Sequence, residues 1–181
     1  LHPEAAGARI ELCHGDNLAR YEAAVFQTSL FHATDAGPSF DFVVGNPPYV
    51  RVQNIQPAEL RDRYRTHYPQ TATGRFDLYM LFIDAAYRAL KSDGNLGFIV
   101  SNKFLTSNSG IGIRSFLAKN FQVTHLIDLA DSKLFQAAVL PLILVARKSL
   151  ATGGSFNYAL VKEMTALGEA RFDAGEFSEA W

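Results

Sequence analysis

Apolar residues fall along this chain in short runs separated by stretches of helical spacing, which predicts an α/β protein built on a buried sheet. Ile10 to Cys13 alternates as a strand and ends in His14-Gly15-Asp16-Asn17; Leu18 to Phe31 follows with Leu18, Tyr21, Val25 and Leu30 at helical spacing. Phe40, Phe42, Val43 and Val44 form a run backed by Gly45, which suits a strand buried on both faces of a parallel sheet. An irregular polar stretch then runs to Gly74, within which Pro57 opens a short helix over Ala58 to Tyr64. Phe76, Tyr79, Met80, Ile83, Tyr87 and Leu90 define an amphipathic helix over Arg75 to Leu90, stopped by Ser92-Asp93-Gly94.

Leu96 to Val100 reads as another buried strand, Ser101 to Gly112 as a polar connection, Ile113 to Lys119 as a short helix and Val123 to Leu129 as the next strand. Too few residues separate this strand from the run Val139 to Val145 for a helical crossover. The two are therefore expected as an antiparallel hairpin on an otherwise parallel sheet, with Pro141 making the entry irregular. Gly153-Gly154 marks a linker, Phe156 to Val161 reads as a final strand, and the tail beyond it shows no partner in the pattern. The expected organisation is a catalytic core segment over residues 1–150, then a linker and the start of a C-terminal region over 151–181.

The sharpest punctuation is Asn46-Pro47-Pro48-Tyr49, directly after the Phe40 to Val44 strand. Each proline fixes its own φ and drives the residue before it out of the helical region. Asn46 is thereby held extended at the carboxyl end of a strand, where open α/β sheets place their ligands. Such a corner suits transfer to an exocyclic amino group, whose lone pair is delocalised until its N–H bonds are held by acceptors. The Asn46 side-chain oxygen and the Pro47 carbonyl supply two, and Tyr49 offers a flat surface for a base. A base within a duplex reaches such a corner only by flipping out. The alternative is a rigid turn in which Asn46 caps a helix and Tyr49 belongs to the core.

The chain has 181 residues, 48% of them apolar, enough for a single ordered domain with a substantial core. The single cysteine, Cys13, excludes an internal disulfide and a cysteine-based zinc site, and its alternating context reads as core. No segment is apolar for long enough to span a bilayer and no signal-peptide pattern opens the chain, so the expected location is the cytoplasm. The net charge of −1 does not point to a nucleic-acid binder taken whole. Arg51, Arg61, Arg63, Arg65 and Arg75, however, stand against only Glu59 and Asp62 over residues 51–75, directly after the corner. A phosphate backbone passing there and a solvated loop are both consistent with that charge run.

The order of elements resembles the class I S-adenosylmethionine-dependent methyltransferase (Rossmann-like) fold, in its second half. The motifs resemble the adenine-N6 DNA methyltransferases of the gamma arrangement, found in restriction-modification systems. The likeness runs from Ile10 to Lys148 and implies S-adenosylmethionine as cofactor. It implies that Asp16, which by position alone suits a helix cap equally well, holds the cofactor's adenine amino group, and that Asn46 is counted with Asp16 and Phe82 as cofactor-binding. It implies too that Asn46 and the Pro47 carbonyl accept from the target N6, and that Pro48 and Tyr49 complete the catalytic tetrad. Asp77-Leu78-Tyr79 with Phe82 matches the helix whose phenylalanine packs near the cofactor. Gly94 to Leu105 matches the next strand and its exit, and Phe135, between the hairpin strands, matches the aromatic on the other face of the target base. By spacing alone Phe82 and Phe135 read as core, as Tyr79 does; their order after the tetrad gives the first two a functional reading. Ser101, Asn102, Lys103 and Arg114 are polar at the same sheet edge and suit either caps or DNA contacts, Lys103 being counted with the DNA-contacting arginines.

In this fold the strands lie in the order 3-2-1-4-5-7-6, and Ile10 to Cys13 is expected to move in beside Phe40 to Val44. No glycine-rich loop precedes Asp16, Asn17 stands where relatives carry an aromatic, and the leading Leu1 is expected to mark a trimmed piece. The implied partners are double-stranded DNA and a fused or associated nuclease and DNA-recognition region. Asn-Pro-Pro-Tyr also serves release-factor glutamine and ribosomal RNA N-methyltransferases, and a non-catalytic fragment of such a domain is a third alternative.

Overall fold

The computed structural model describes residues 40–130, 140–149, 155–164 and 170–177. Its centre is a six-stranded sheet. In chain order the strands are β1 (Phe40–Gly45), β2 (Leu90–Ser101), β3 (Phe121–Asp128), β4 (Pro141–Lys148), β5 (Phe156–Met164) and β6 (Ala170–Phe177). They lie side by side as β1-β2-β4-β3-β5-β6. β1 pairs in parallel with β2 and β3 with β5, while β4 runs antiparallel to both β2 and β3. The run β1-β2-β4-β3 reproduces the 4-5-7-6 end of the methyltransferase sheet, including the antiparallel hairpin. This is the second half of the class I fold.

Three helices of at least ten residues are described: α1 (Ala58–His67), α2 (Leu78–Ala89) and α3 (Ile111–Asn120). α2 carries the core. Leu78, Tyr79, Met80, Leu81, Ile83, Ala85 and Ala86 are all buried, beside Phe76, Leu96, Phe98 and Val100. Each large apolar side chain so enclosed stabilises the fold by about 1.5–3 kcal/mol. The buried Asp84 carboxylate accepts from Thr71 Oγ1 at 3.0 Å and from Arg88 Nε at 2.9 Å, and Arg88 Nη2 donates to the His67 carbonyl at 2.8 Å. That network fastens the segment after α1 to α2, and so fixes the approach of residues 75–77 to the sheet.

Element boundaries shift from those the pattern predicts, for local reasons. α2 starts at Leu78 because Asp77 is extended, and it passes into β2 at Leu90 without a linking turn. Ser92-Asp93-Gly94 is nonetheless a break: Phe40 is opposite Leu90 but Phe42 is opposite Asn95, so the turn residues bulge out of the strand, with Asp93 at φ 64. The tail, for which the pattern shows no partner, forms β6 antiparallel to β5, and β5 extends the sheet past residue 150 by pairing with β3. Among the described residues β1 pairs only with β2. Phe42 and Val44, expected buried on both faces, are 69% and 80% exposed. The expected strand Ile10 to Cys13, the helix after it and the linker at Gly153-Gly154 lie outside the described residues.

Candidate active site

β1 ends at Gly45, and the two prolines turn the chain at the carboxyl edge of the sheet. Asn46 is exposed, Pro47 buried, and Pro48 and Tyr49 half-buried. The Tyr49 hydroxyl donates to Asn46 Oδ1 at 2.8 Å and has a second acceptor, the Ile99 carbonyl on β2, at 3.1 Å. One phenolic proton serves both. Burial pushes the Tyr49 pKa up to about 12, so at neutral pH the group is a donor. An amide oxygen has two lone pairs, so Asn46 Oδ1 keeps one for an incoming N–H. No sequence pattern marks Ile99, since its contribution is a backbone carbonyl brought in by sheet pairing.

The ring of Tyr79 meets that of Tyr49 edge-on, with centroids 6.2 Å apart, and the tilted ring of Phe104 lies 6.4 Å from it. Tyr79 is completely buried, as the core reading expects, yet among the described residues its hydroxyl has no hydrogen-bond partner. Burial first, then the nearby charge of Asp77, raises its pKa. Phe82 is the one residue of Leu78 to Ala86 left partly open to solvent, while also packing against the core.

The segment after the tetrad is stitched to the entry of α2: Val52 N–H donates to the Phe76 carbonyl at 3.0 Å, Leu78 N–H to the Val50 carbonyl at 2.8 Å, and Arg51 lies opposite Asp77. Arg51 and Lys103 are exposed at this edge. Arg61, on α1, is half-exposed, and Arg63, Arg65 and Arg75 are exposed. Arg65 is paired with Asp62 at 3.0 Å. The other polar residues of the β2 exit are engaged structurally. Ser101 Oγ accepts from Lys103 N–H, Asn102 Nδ2 donates to Asp128 Oδ2 at 3.1 Å, and Arg114 donates to the Phe104 and Ser107 carbonyls. Arg114 reaches them past Gly110, where a side chain would overlap the Phe104 carbonyl. Asp16 and Phe135 lie outside the described residues.

A strand-edge Asn-Pro-Pro-Tyr with a free amide acceptor and an edge-packed aromatic cluster beneath it agrees with a family match over residues 7–135, to the Eco57I restriction-modification methylases. The chain belongs to this family. Among curated relatives, it is 39% identical over 120 residues to the type II methyltransferase M.PaeR7I of Pseudomonas aeruginosa, covering 66% of this chain and 21% of that protein. It is 34% identical over 115 residues to the type II restriction enzyme and methyltransferase RM.Eco57I of Escherichia coli, covering 62% of this chain and 11% of that protein. The chain thus spans about a fifth or less of these relatives. The fold is shared with the type IIG restriction endonuclease BpuSI, at a TM-score of 0.59 and 21% identity over 75% of this chain and 16% of that one. A class I S-adenosylmethionine-dependent methyltransferase from Listeria monocytogenes superposes with a TM-score of 0.55 at 19% identity, over 70% of this chain and 38% of that one. Among the described residues no helix is long and apolar enough to cross a membrane.

Proposed function

We propose that this chain is the catalytic segment of a site-specific DNA methyltransferase that acts on adenine N6 within a restriction-modification system. The observation that carries the reading is the Asn46 amide oxygen, exposed at the end of β1 and held by Tyr49 with one lone pair unused. An acceptor so placed, with the Pro47 carbonyl beside it, draws the two N–H bonds of the target amine out of conjugation and raises the nucleophilicity of its nitrogen. Tyr49 stacks on the flipped base, with Phe135 on the other face. The cofactor is S-adenosylmethionine, which supplies an activated methyl group for in-line transfer. Phe82, the partly open aromatic on α2, fits a planar adenine, with Asp16 accepting from its amino group. No early general base is required of the chain, because the methylated nitrogen is acidic enough to release its proton to water.

The proposed DNA contacts are Arg51, Arg61, Arg63, Arg65, Arg75 and Lys103, and the proposed partners are double-stranded DNA and a fused or associated nuclease and recognition region. The printed names of the relatives, a type II methyltransferase and a combined restriction enzyme and methyltransferase, support this reading. The test is digestion and mass spectrometry of DNA incubated with the full-length protein and S-adenosylmethionine. N6-methyladenine should appear at one sequence and vanish in Asn46→Ala. Methylated cytosine, or a methylated protein amide with unmodified DNA, would refute it.

A further inference from the structure

Asp77 caps nothing. It stands at the N-cap of α2, yet its side chain makes no cap hydrogen bond, and no ion pair closes on it among the described residues. Instead it lies opposite Arg51 in an antiparallel bridge. The bonds from Leu78 N–H to the Val50 carbonyl and from Val52 N–H to the Phe76 carbonyl flank the pair, making it the non-hydrogen-bonded kind, whose side chains stand on one face at close spacing. Lys103, in the short turn Asn102–Leu105 just after β2, acts on the same carboxylate, and its neighbour Phe104 has its ring 6.4 Å from that of Tyr79, two residues after Asp77. Burial raises the Asp77 pKa while Arg51 and Lys103, the two nearby cations, pull it down.

Several other cations around the sheet are committed to structure. Arg88 is paired with Asp84, Lys91 with Asp41 and Arg147 with Asp93, and Lys148 Nζ donates to the Tyr87 and Leu90 carbonyls. Arg51 and Lys103 are exposed, make no ion pair or side-chain hydrogen bond among the described residues, and flank the Asn46 corner. Two cations converging on one half-buried carboxylate, with their donors unspent, suit a bridging anion at the mouth of the corner.

We propose that Arg51 and Lys103 grip one backbone phosphate flanking the flipped nucleotide, and that Asp77 between them is a positioning residue that keeps the two cations converged. This rests on the DNA methyltransferase reading. It adds to it a specific phosphate and an acidic residue whose role is indirect.

The test uses the full-length protein and duplexes in which each phosphate flanking the target adenine is replaced in turn by a neutral methylphosphonate. At one position the wild type should lose roughly tenfold in affinity, the scale of one charge-assisted contact. Arg51→Gln and Lys103→Gln should each lose about as much on the unmodified duplex, reduce the salt slope by about one, and lose nothing further on that neutralised duplex. Asp77→Asn should keep or raise non-specific affinity, since a negative charge is gone, while the penalty for neutralising the phosphate shrinks. Fully additive losses at both phosphates, or an unchanged penalty in Asp77→Asn, would overturn the proposal. An inert wild type would instead overturn the methyltransferase reading beneath it.

Discussion

The hydroxyl of Tyr49 lies 2.8 Å from Oδ1 of Asn46, three residues back, and 3.1 Å from the carbonyl of Ile99 on the neighbouring strand. The bond to Ile99 ties the turn to the sheet, and the bond to Asn46 turns the amide oxygen toward the ring. An acceptor and a stacking surface are thus set by one side chain.

Replacing Tyr49 separates these roles. Tyr49→Ala removes the ring and should weaken binding to a duplex with an extrahelical target adenine by roughly 1–3 kcal/mol. Tyr49→Phe keeps the ring and should retain most of that affinity while losing the hold on Asn46. Fluorescence titration with 2-aminopurine at the target position reads both, and equal losses for the two variants would count against stacking.

Asn46→Ala should lower methyl transfer by about 10²-fold or more, the usual scale for a lost positioned acceptor. Because Asn46 is exposed, its melting temperature and cofactor affinity should stay at the wild-type values. Activity within a few-fold of wild type would remove Asn46 from the chemistry.

Asp84→Ala should destabilise the protein by on the order of 3 kcal/mol, because Arg88 loses its carboxylate and Thr71 its acceptor in a buried setting. Urea denaturation gives the number. A change below about 0.5 kcal/mol, the level of ordinary surface substitutions, would mean that the network does not hold the segment to α2.

Asp128 is 7% exposed and accepts from Asn102 Nδ2, from the Ala130 N–H at 2.9 Å and, at 3.5 Å, from the Tyr158 hydroxyl on β5, tying the exits of β2 and β3 together. Asp128→Ala removes the acceptor of all three donors and should cost about 1–3 kcal/mol. Asp128→Asn keeps one acceptor and should cost less. Thermal melts of the two variants check the order.

Alkaline stability follows from the tyrosines that burial raises. Tyr49 and Tyr64 are each raised by burial from 10.0 to about 12. A group whose folded pKa lies above its unfolded value contributes stability that is complete below the unfolded pKa and is lost as pH rises through the folded one. Stability should therefore decline between pH 10 and 12, and tyrosinate absorbance at 295 nm should rise together with unfolding. Tyrosinate absorbance rising with a single midpoint near pH 10 while the fold stays intact would contradict the burial of these rings.

The sequence by itself determined the tetrad, its place after a strand, the order of elements and the β3-β4 hairpin. Those features are local: proline geometry, runs of apolar residues and loop lengths too short for a crossover are all written in neighbouring positions. Tertiary structure alone decided which groups meet at the corner. The Ile99 carbonyl reaches Tyr49 because β2 pairs beside β1, and Asp77 faces Arg51 because a short antiparallel bridge crosses a loop of some twenty-five residues. The partner of β6 likewise became visible only when β5 was in place to offer its edge. Backbone acceptors and pairings between distant segments depend on chain geometry rather than residue type, so no periodicity records them.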